Sequence, residues 1–509
     1  MADNVNLLFL FTDEQRYDTL AAYGNRQIQM PNLDRLAEQS FVFDRAYVTQ
    51  PICTPSRGSL MTGLWPHTHG CTKNNVPLRA MTPCLPEMLP AGRYATGYNG
   101  KWHLGDEVFA QHGFQAWCST EDQYRRHYSP GTDKSARSSY HHFLVSKGYA
   151  PAGGDIFTRL ETAGFPEDVS KPAFQAAEAV RFLRDHRREP FVLCVNFLEP
   201  HMPFTGPRDN QYDPASVLLP CNFNNPPTED QPRKARLRWQ RYYERGRGGG
   251  PLKTEDDWRR LIARYWGLCS LVDAHVGTIL SGLDELGLDE NTIVVFTSDH
   301  GDMMGSHRLL AKSLMFEEAI RVPLLLRPPG QKSGRRVEGP VSQIDLVPTL
   351  LDYMGWATPA QLQGTTLRRR MEDAAPAQDV FVEWTGGDEE LGRKRGLQAA
   401  VNRGLEATRR RQLASGSAPT EDAGTGAKED PCYDAVRTIL TADGWKFNLS
   451  AEGEDELYNL QADPGETVNL ARQADQAARI DELPRRIRCW QEQTQDKLLP
   501  LPRERQAGG

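Results

Sequence analysis

No run in this chain approaches the ~20 consecutive apolar residues that a bilayer-crossing helix needs. The apolar stretch nearest the start, Val5 to Phe11 in MADNVNLLFLFTDEQRYD, has no Lys or Arg before it and no small-residue cleavage site. It therefore reads as a buried strand and not as a secretory leader. The expectation is a cytoplasmic protein with no membrane partner. Excess positive charge is missing too: 60 Lys and Arg stand against 67 Asp and Glu, a net charge of −7. Such a balance provides no basic surface for nucleic acid. The nine cysteines are odd in number and include no Cys-x-x-Cys pair. That pattern fits neither a disulfide framework nor a zinc knuckle, and it leaves most of them as reduced core thiols. Internal repeats are also lacking.

Core material, by contrast, is plentiful. At 509 residues, 39% hydrophobic and 25% charged, the chain has the composition of a globular protein large enough for two domains or for one large domain with an appendage. The apolar runs NVNLLFLF, PFVLCVNF, NTIVVFT and RVPLLLR are short and β-branched and do not alternate. Strands buried on both faces of a mainly parallel sheet read this way. Helical patterns lie between them: PNLDRLAEQS, KPAFQAAEAVRFLRDHR and DDWRRLIARYWGLCSLVDAHVGTILSGLDELG. Alternating strands and helices predict an α/β fold, a mainly parallel central sheet sandwiched by helices. Residues 119–165 and 205–255 show little periodicity and are expected as long loops near a site. The stretch DQYRRHYSPGTDKSARSSYHHF within the first reads equally as a cleft wall for a sugar or aryl group and as a solvated insertion. From about 375 the alternation stops. Residues 1–375 are read as the catalytic α/β domain and 376–509 as a smaller α+β domain. The latter has a mobile polar segment near 405–430, and an antiparallel hairpin with an Asp-Gly turn follows it.

In open α/β sheets, ligands bind beyond the carboxyl ends of the strands. Three predicted strands end in polar clusters: Asp13 and Glu14, then Glu199 and His201, then Asp299, His300 and Asp302. Carboxylates from two strand ends with a histidine suit a hard divalent cation such as calcium, magnesium or manganese. In QPICTPSRGSLMTG, Pro55 is expected as the first helical residue, with Cys53 just ahead of it and Arg57 one turn in, able to pair with Cys53 or with a charge bound to it. A phosphatase-type cysteine loop is disfavoured because Ser59 stands where its arginine belongs. A zinc thiolate is disfavoured because no second ligand is close in sequence. Lys101, His103 and Lys312 add cations and an imidazole. Together with a bound metal they describe a pocket for a tetrahedral anionic ester.

Taken together, CTPSR followed by GSLMTG, then GKWHLG, PHMPF, TSDHGDMMGSH with its later AK, and ELYNLQADPGETVNL resemble the sulfatase family of the alkaline-phosphatase-like superfamily, in the family's order. The resemblance implies that Cys53 is a precursor. In that family a formylglycine-generating enzyme oxidises the matching cysteine to an aldehyde, and a hydroxyl of the aldehyde's hydrate attacks the sulfur of a sulfate ester. The second hydroxyl then collapses the adduct and expels sulfate. It further implies that Asp13, Asp299, His300 and the residue 53 oxygen hold one divalent cation, most commonly calcium. Arg57 and His103 would stabilise the hydrate, and Lys101, His201 and Lys312 would bind sulfate, with His201 or Lys312 assisting the leaving oxygen. Glu14 stands where many members carry a second aspartate, so it is a further candidate ligand. It also keeps open a phosphonate monoester or phosphodiester hydrolase on the same scaffold. A catalytically silent sulfate-binding scaffold would require a damaged site, yet every matched position except Glu14 has the usual residue. The expected substrates are small sulfate esters of sugar, aryl or choline type. A homo-oligomer is compatible with the sequence but not specified by it.

Overall fold

The computed structural model describes residues 5–246, 250–373, 375–386 and 434–497. The polar segment near 405–430 lies outside the described residues. The central sheet is built from β1 (Asn6–Asp13), β2 (Phe41–Tyr47), β3 (Ala95–Gly100), β4 (Ala116–Ser119), β5 (Phe191–Pro200), β6 (Thr292–Ser298), β7 (Arg321–Val322), β8 (Leu324–Arg327) and β9 (Arg335–Ser342). The strand order is β4-β3-β5-β1-β6-β8-β2-β7, with β9 on β2. Strands β4, β3, β5, β1 and β6 all run parallel. The run RVPLLLR, expected as one strand of the parallel set, is instead broken at Pro323, which has no N–H to give. Its two halves lie antiparallel to β2, and β8 is antiparallel to β6 as well.

Burial on both faces explains the unbroken apolar runs. Along β1, Leu8 and Leu10 join one core cluster while Leu7, Phe9 and Phe11 join another, and β5 divides in the same way. The Glu255–Glu285 helix lies over the first face and the Lys171–Asp185 helix packs beside it. A capping box opens the longer one: Asp257 N–H donates to the Thr254 hydroxyl at 3.2 Å, and Thr254 N–H returns to the Asp257 carboxylate at 2.9 Å. Such a cap contributes about 1 kcal/mol.

The two stretches expected as loops contain helices. Residues 119–165 hold the Ser139–Ser146 and Arg159–Ala163 helices, and 205–255 holds the 13-residue Arg233–Arg245 helix. The last escapes a hydropathy reading because its buried residues are Lys234, Ala235, Arg238 and Tyr242. Two cations sit on the inward face since they have carbonyls to meet there. Lys234 Nζ donates to Ser313 O at 2.6 Å, and Arg238 donates to Lys312 O.

A second sheet, order β10-β11-β12-β13 and antiparallel throughout, comprises β10 (Val380–Trp384), β11 (Val436–Leu440), β12 (Trp445–Ser450) and β13 (Glu456–Asn459). The expected Asp-Gly turn joins β11 to β12, with Gly444 at φ +86°. The Ala477–Thr494 helix closes over this sheet through Leu483 and Ile487, which meet Ile439, Phe447 and Leu457. Cys71, Cys84, Cys194 and Cys269 are buried free thiols, as anticipated for core cysteines.

Candidate active site

The three central strands, β5, β1 and β6, end side by side. Asp13 closes β1, Asp299 and His300 follow β6, and His201 follows β5. Cys53 is brought to them by the Cys53–Thr62 helix, which starts two residues earlier than expected: Ile52 at φ −159° is the cap and Cys53 the first helical residue. Pro55 is then third. It is tolerated there because the first-turn N–H groups have no partner within the helix. Every residue of that helix is buried, so it forms a wall of the site and not a surface element.

One ligand atom each from Asp13, Cys53, Asp299 and His300 falls within 4.8 Å of the others, all four residues being buried. The donors have the chemistry of a cation site. His300 Nδ1 faces the Gly301 carbonyl at 2.9 Å, which assigns the proton there and turns the Nε2 lone pair inward. That lone pair looks at Asp299 Oδ1 (3.4 Å), Asp13 Oδ1 (3.7 Å) and Cys53 Sγ (3.3 Å). Burial lowers the pKa of His300, so the ring stays neutral among carboxylates. A lone pair aimed at anionic oxygens is stable with a cation between them, and the residues fit a divalent metal.

Glu14 takes a different direction. It adopts φ +71°, and its carboxylate accepts from Lys312 Nζ at 2.9 Å and lies 3.3 Å from His201 Nε2. It shares a potential ligand group with Asp13 and His201, but not the one with Cys53. The extra methylene carries the carboxylate to the Lys312 ammonium.

Arg57 was expected to pair with Cys53 or a charge on it. Instead it joins the two aspartates: Nε donates to Asp299 Oδ2 and Nη2 to Asp13 Oδ2, both at 2.8 Å, while Nη1 donates to Asn196 Oδ1 (2.8 Å) and Lys101 O (2.6 Å). Four acceptors around one fork hold both carboxylates in fixed orientation. Lys101 Nζ also pairs with Asp13 Oδ2. Burial would raise the Asp13 pKa, but Lys101, His201, Arg57 and Lys312 outweigh it and hold the carboxyl well below its usual range. Cys53 shows the opposite balance. Burial first, then Asp13, push its pKa up, and Lys312 Nζ at 3.4 Å does not overcome them. His103 and His201 are driven well below the usual imidazole range, mainly by burial and then by lysine charge, Lys101 at His103 and Lys312 at His201.

All ten sequence-predicted site residues, Asp13, Glu14, Cys53, Arg57, Lys101, His103, His201, Asp299, His300 and Lys312, therefore belong to one buried or nearly buried cluster. Asp302 and Glu199 stand apart. Asp302 Oδ1 accepts from Met304 and Ala311 N–H and shapes the loop toward Lys312, and Glu199 faces Lys171. Sequence reasoning missed Asn75, whose Oδ1 lies 3.1 Å from His103 Nε2, and Asn196, which receives Arg57. The sequence carries no local signal for these; only the Asn-Asn pair at 74–75, close after the Cys53 helix, offered a hint. Tyr124, within the stretch read equally as a cleft wall and as a solvated insertion, lies 4.2 Å from the His103 ring and tilted 32° to it, on the cleft side of that reading.

The sequence profile described as Sulfatase matches residues 5–356. An ulvan-active sulfatase of Formosa agariphila is 28% identical over 393 residues, covering 74% of this chain and 66% of that one, just under two thirds of its length. An N-acetylglucosamine-6-O-sulfatase of Bacteroides thetaiotaomicron is 25% identical over 530 residues, covering 96% and 87%. Among solved structures, a phosphonate monoester hydrolase from Silicibacter pomeroyi superposes with a TM-score of 0.75 at 22% identity, covering 97% and 96% of the two chains, a likeness of fold. The profile match extends from β1 past the Lys312 loop and so includes every residue of the cluster. The chain belongs to the sulfatase family, enzymes that hydrolyse sulfate esters.

Proposed function

We propose that this protein converts R–O–SO3⁻ to R–OH and sulfate at a formylglycine made from Cys53, with one divalent cation, calcium foremost and manganese or magnesium as alternatives. The observation that carries this reading is the setting of Cys53. Its Sγ lies at the start of a buried helix, 3.3 Å from His300 Nε2 and 3.4 Å from Lys312 Nζ, while burial and Asp13 keep the thiol protonated. A protonated thiol is a poor nucleophile, so these partners are better matched to oxygen on the residue 53 carbon. Asp13, Asp299, His300 and residue 53 would hold the cation, which would polarise the ester and lower the pKa of a hydroxyl bound to it.

The chain's own groups supply the rest. Lys312 Nζ lies 3.4 Å from Cys53 Sγ, and with Lys101 and His201 it would bind the sulfate oxygens. Paired with Glu14 at 2.9 Å and this close to residue 53, Lys312 would be the donor to the leaving oxygen. His201, neutral and with Nδ1 committed to Met202 O at 2.8 Å, is a positioning partner. Arg57 fixes the two aspartates, and His103, braced by Asn75, lines the other side. The similarity to an N-acetylglucosamine-6-O-sulfatase supports a sugar as the alcohol half.

Mass spectrometry of the tryptic peptide AYVTQPICTPSR (46–57), combined with sulfate release from aryl and sugar sulfates, tests this. An active preparation should contain the aldehyde form, in which oxygen replaces the thiol and one hydrogen. A chelator should abolish turnover, and calcium should restore it. Full activity with an unmodified thiol, or kcat/KM for an aryl phosphonate exceeding that for the aryl sulfate by orders of magnitude, would refute it.

A further inference from the structure

One arginine near the site is not used by the reaction at residue 53. Arg159 opens the Arg159–Ala163 helix, in the stretch expected as a loop. Its Nε donates to Glu121 Oε2 at 2.7 Å and its Nη2 to the Tyr124 hydroxyl at 2.8 Å. Its Nη1 has no hydrogen-bond partner among the described residues. Glu121 is shared with Lys171 Nζ, so one carboxylate answers two cations. The other carboxyl facing Lys171 is Glu199, whose pKa burial pushes up.

This cluster opens toward the catalytic groups. Arg159, Lys171, Glu199 and His201 line one cleft. Tyr124 is the wall between Arg159 and the other cations: its ring lies 4.2 Å from that of His103, tilted by 32°, and has Lys101 Nζ and Arg159 Cζ each 5.8 Å from its centre. The two charges are thus separated by no more than twice that distance, a span that one sugar or aryl ring with two substituents covers. Lys101 is fully buried and locked to Asp13, whereas the Arg159 side chain is 15% exposed. A guanidinium held in place by a carboxylate and a phenol, on a residue that lines a cleft, is prepared for a planar or tetrahedral anion.

Resting on sulfate-ester hydrolysis at residue 53, we propose that Arg159, oriented by Tyr124 and Glu121, is a second anion subsite, and that the preferred substrates carry a further negative charge, a carboxylate or a second sulfate, on the alcohol half. Tyr124 is a positioning residue.

Phenyl sulfate, 4-carboxyphenyl sulfate and hydroquinone bis-sulfate separate the two sources of charge. With the aldehyde verified by mass, Arg159→Gln should lower kcat/KM for at least one dianionic ester tenfold more than for phenyl sulfate, and the ester affected identifies the group recognised. Arg159→Lys should keep part of that preference, and Tyr124→Phe should lose some of it. Equal losses on all three esters would overturn the subsite and leave Arg159 as a structural brace. Should the wild-type enzyme turn over none of them, it is the sulfatase reading that has failed. Calorimetric binding of the same esters to wild type and Arg159→Gln then decides the subsite: at least tenfold weaker dianion binding by the variant supports it, and unchanged affinity overturns it.

Discussion

At Glu14 a single methylene changes what a carboxylate does. The backbone at φ +71° and the longer side chain carry the charge to Lys312, beside the His201 ring, leaving Asp13, Cys53, Asp299 and His300 as the convergent donors. Two substitutions should therefore separate. Asp299→Asn should weaken metal affinity at least about 10- to 100-fold, the range already seen on disturbing groups that only hold a ligand in place, and lower kcat accordingly. Glu14→Gln should leave calcium affinity within about threefold but raise KM for the ester, because Lys312 loses the partner that holds it. Calorimetric calcium titrations beside steady-state kinetics measure both. Equal loss of calcium binding in the two variants would make Glu14 a ligand. Of the site's residues, those in short ordered motifs were legible in the sequence. Their partners were not: Arg57 reaches Asp299 across 242 positions, and no local pattern encodes that.

Among the elements, the β3 end shows how backbone geometry delivers a catalytic side chain. Gly100 sits at φ +125°, and a Cβ there would lie 2.0 Å from Asn196 O on the neighbouring strand. Neither problem is relieved by a side-chain rotation, and the next residue is Lys101. Gly100→Ala should cost on the order of 3 kcal/mol or more, in the range of strained or overpacked core positions, and should displace Lys101 from Asp13. Denaturant unfolding checks it; a loss below about 0.5 kcal/mol, the level of neutral surface changes, would count against the account. The Arg233–Arg245 helix makes a complementary point. Its inward face carries Lys234 and Arg238, so hydropathy hid it, yet those cations bond the backbone at Ser313 and Lys312 and so anchor the loop bearing the leaving-group donor.

Across the whole molecule, the second sheet supports the catalytic rim. Glu466, from the late ELYNLQADPGETVNL stretch, accepts the Glu317 N–H at 2.6 Å and pairs with Lys446, tying that sheet to the segment just after Lys312. A second tie is His67, close after the Cys53 helix. Its Nδ1 lies 3.0 Å from Glu383 on β10, and its Nε2 faces Thr494 O. Burial would lower the His67 pKa, but hydrogen-bonded Glu383, with Asp496 beyond, raises it above 6.5. The folded state thus binds this proton more tightly than the unfolded one. The stabilisation is complete below pH 6.5 and fades as pH rises through the folded value. His67→Gln should lower Tm more at pH 6 than at pH 9; a difference independent of pH would remove His67 as the source.

The sequence by itself determined the alternation that makes the α/β sheet, the strand ends that carry Asp13, His201 and Asp299, and the CTPSR signature around Cys53, because periodicity and short motifs are local properties of a chain. Tertiary structure alone decided that Arg57 joins two aspartates, that Glu14 turns to Lys312, that a basic helix packs inward, and that Arg159 reaches the cleft beside His201. Each of these depends on a charge finding its partner far away in sequence, and such pairings exist only once the sheet has brought its strand ends to one rim.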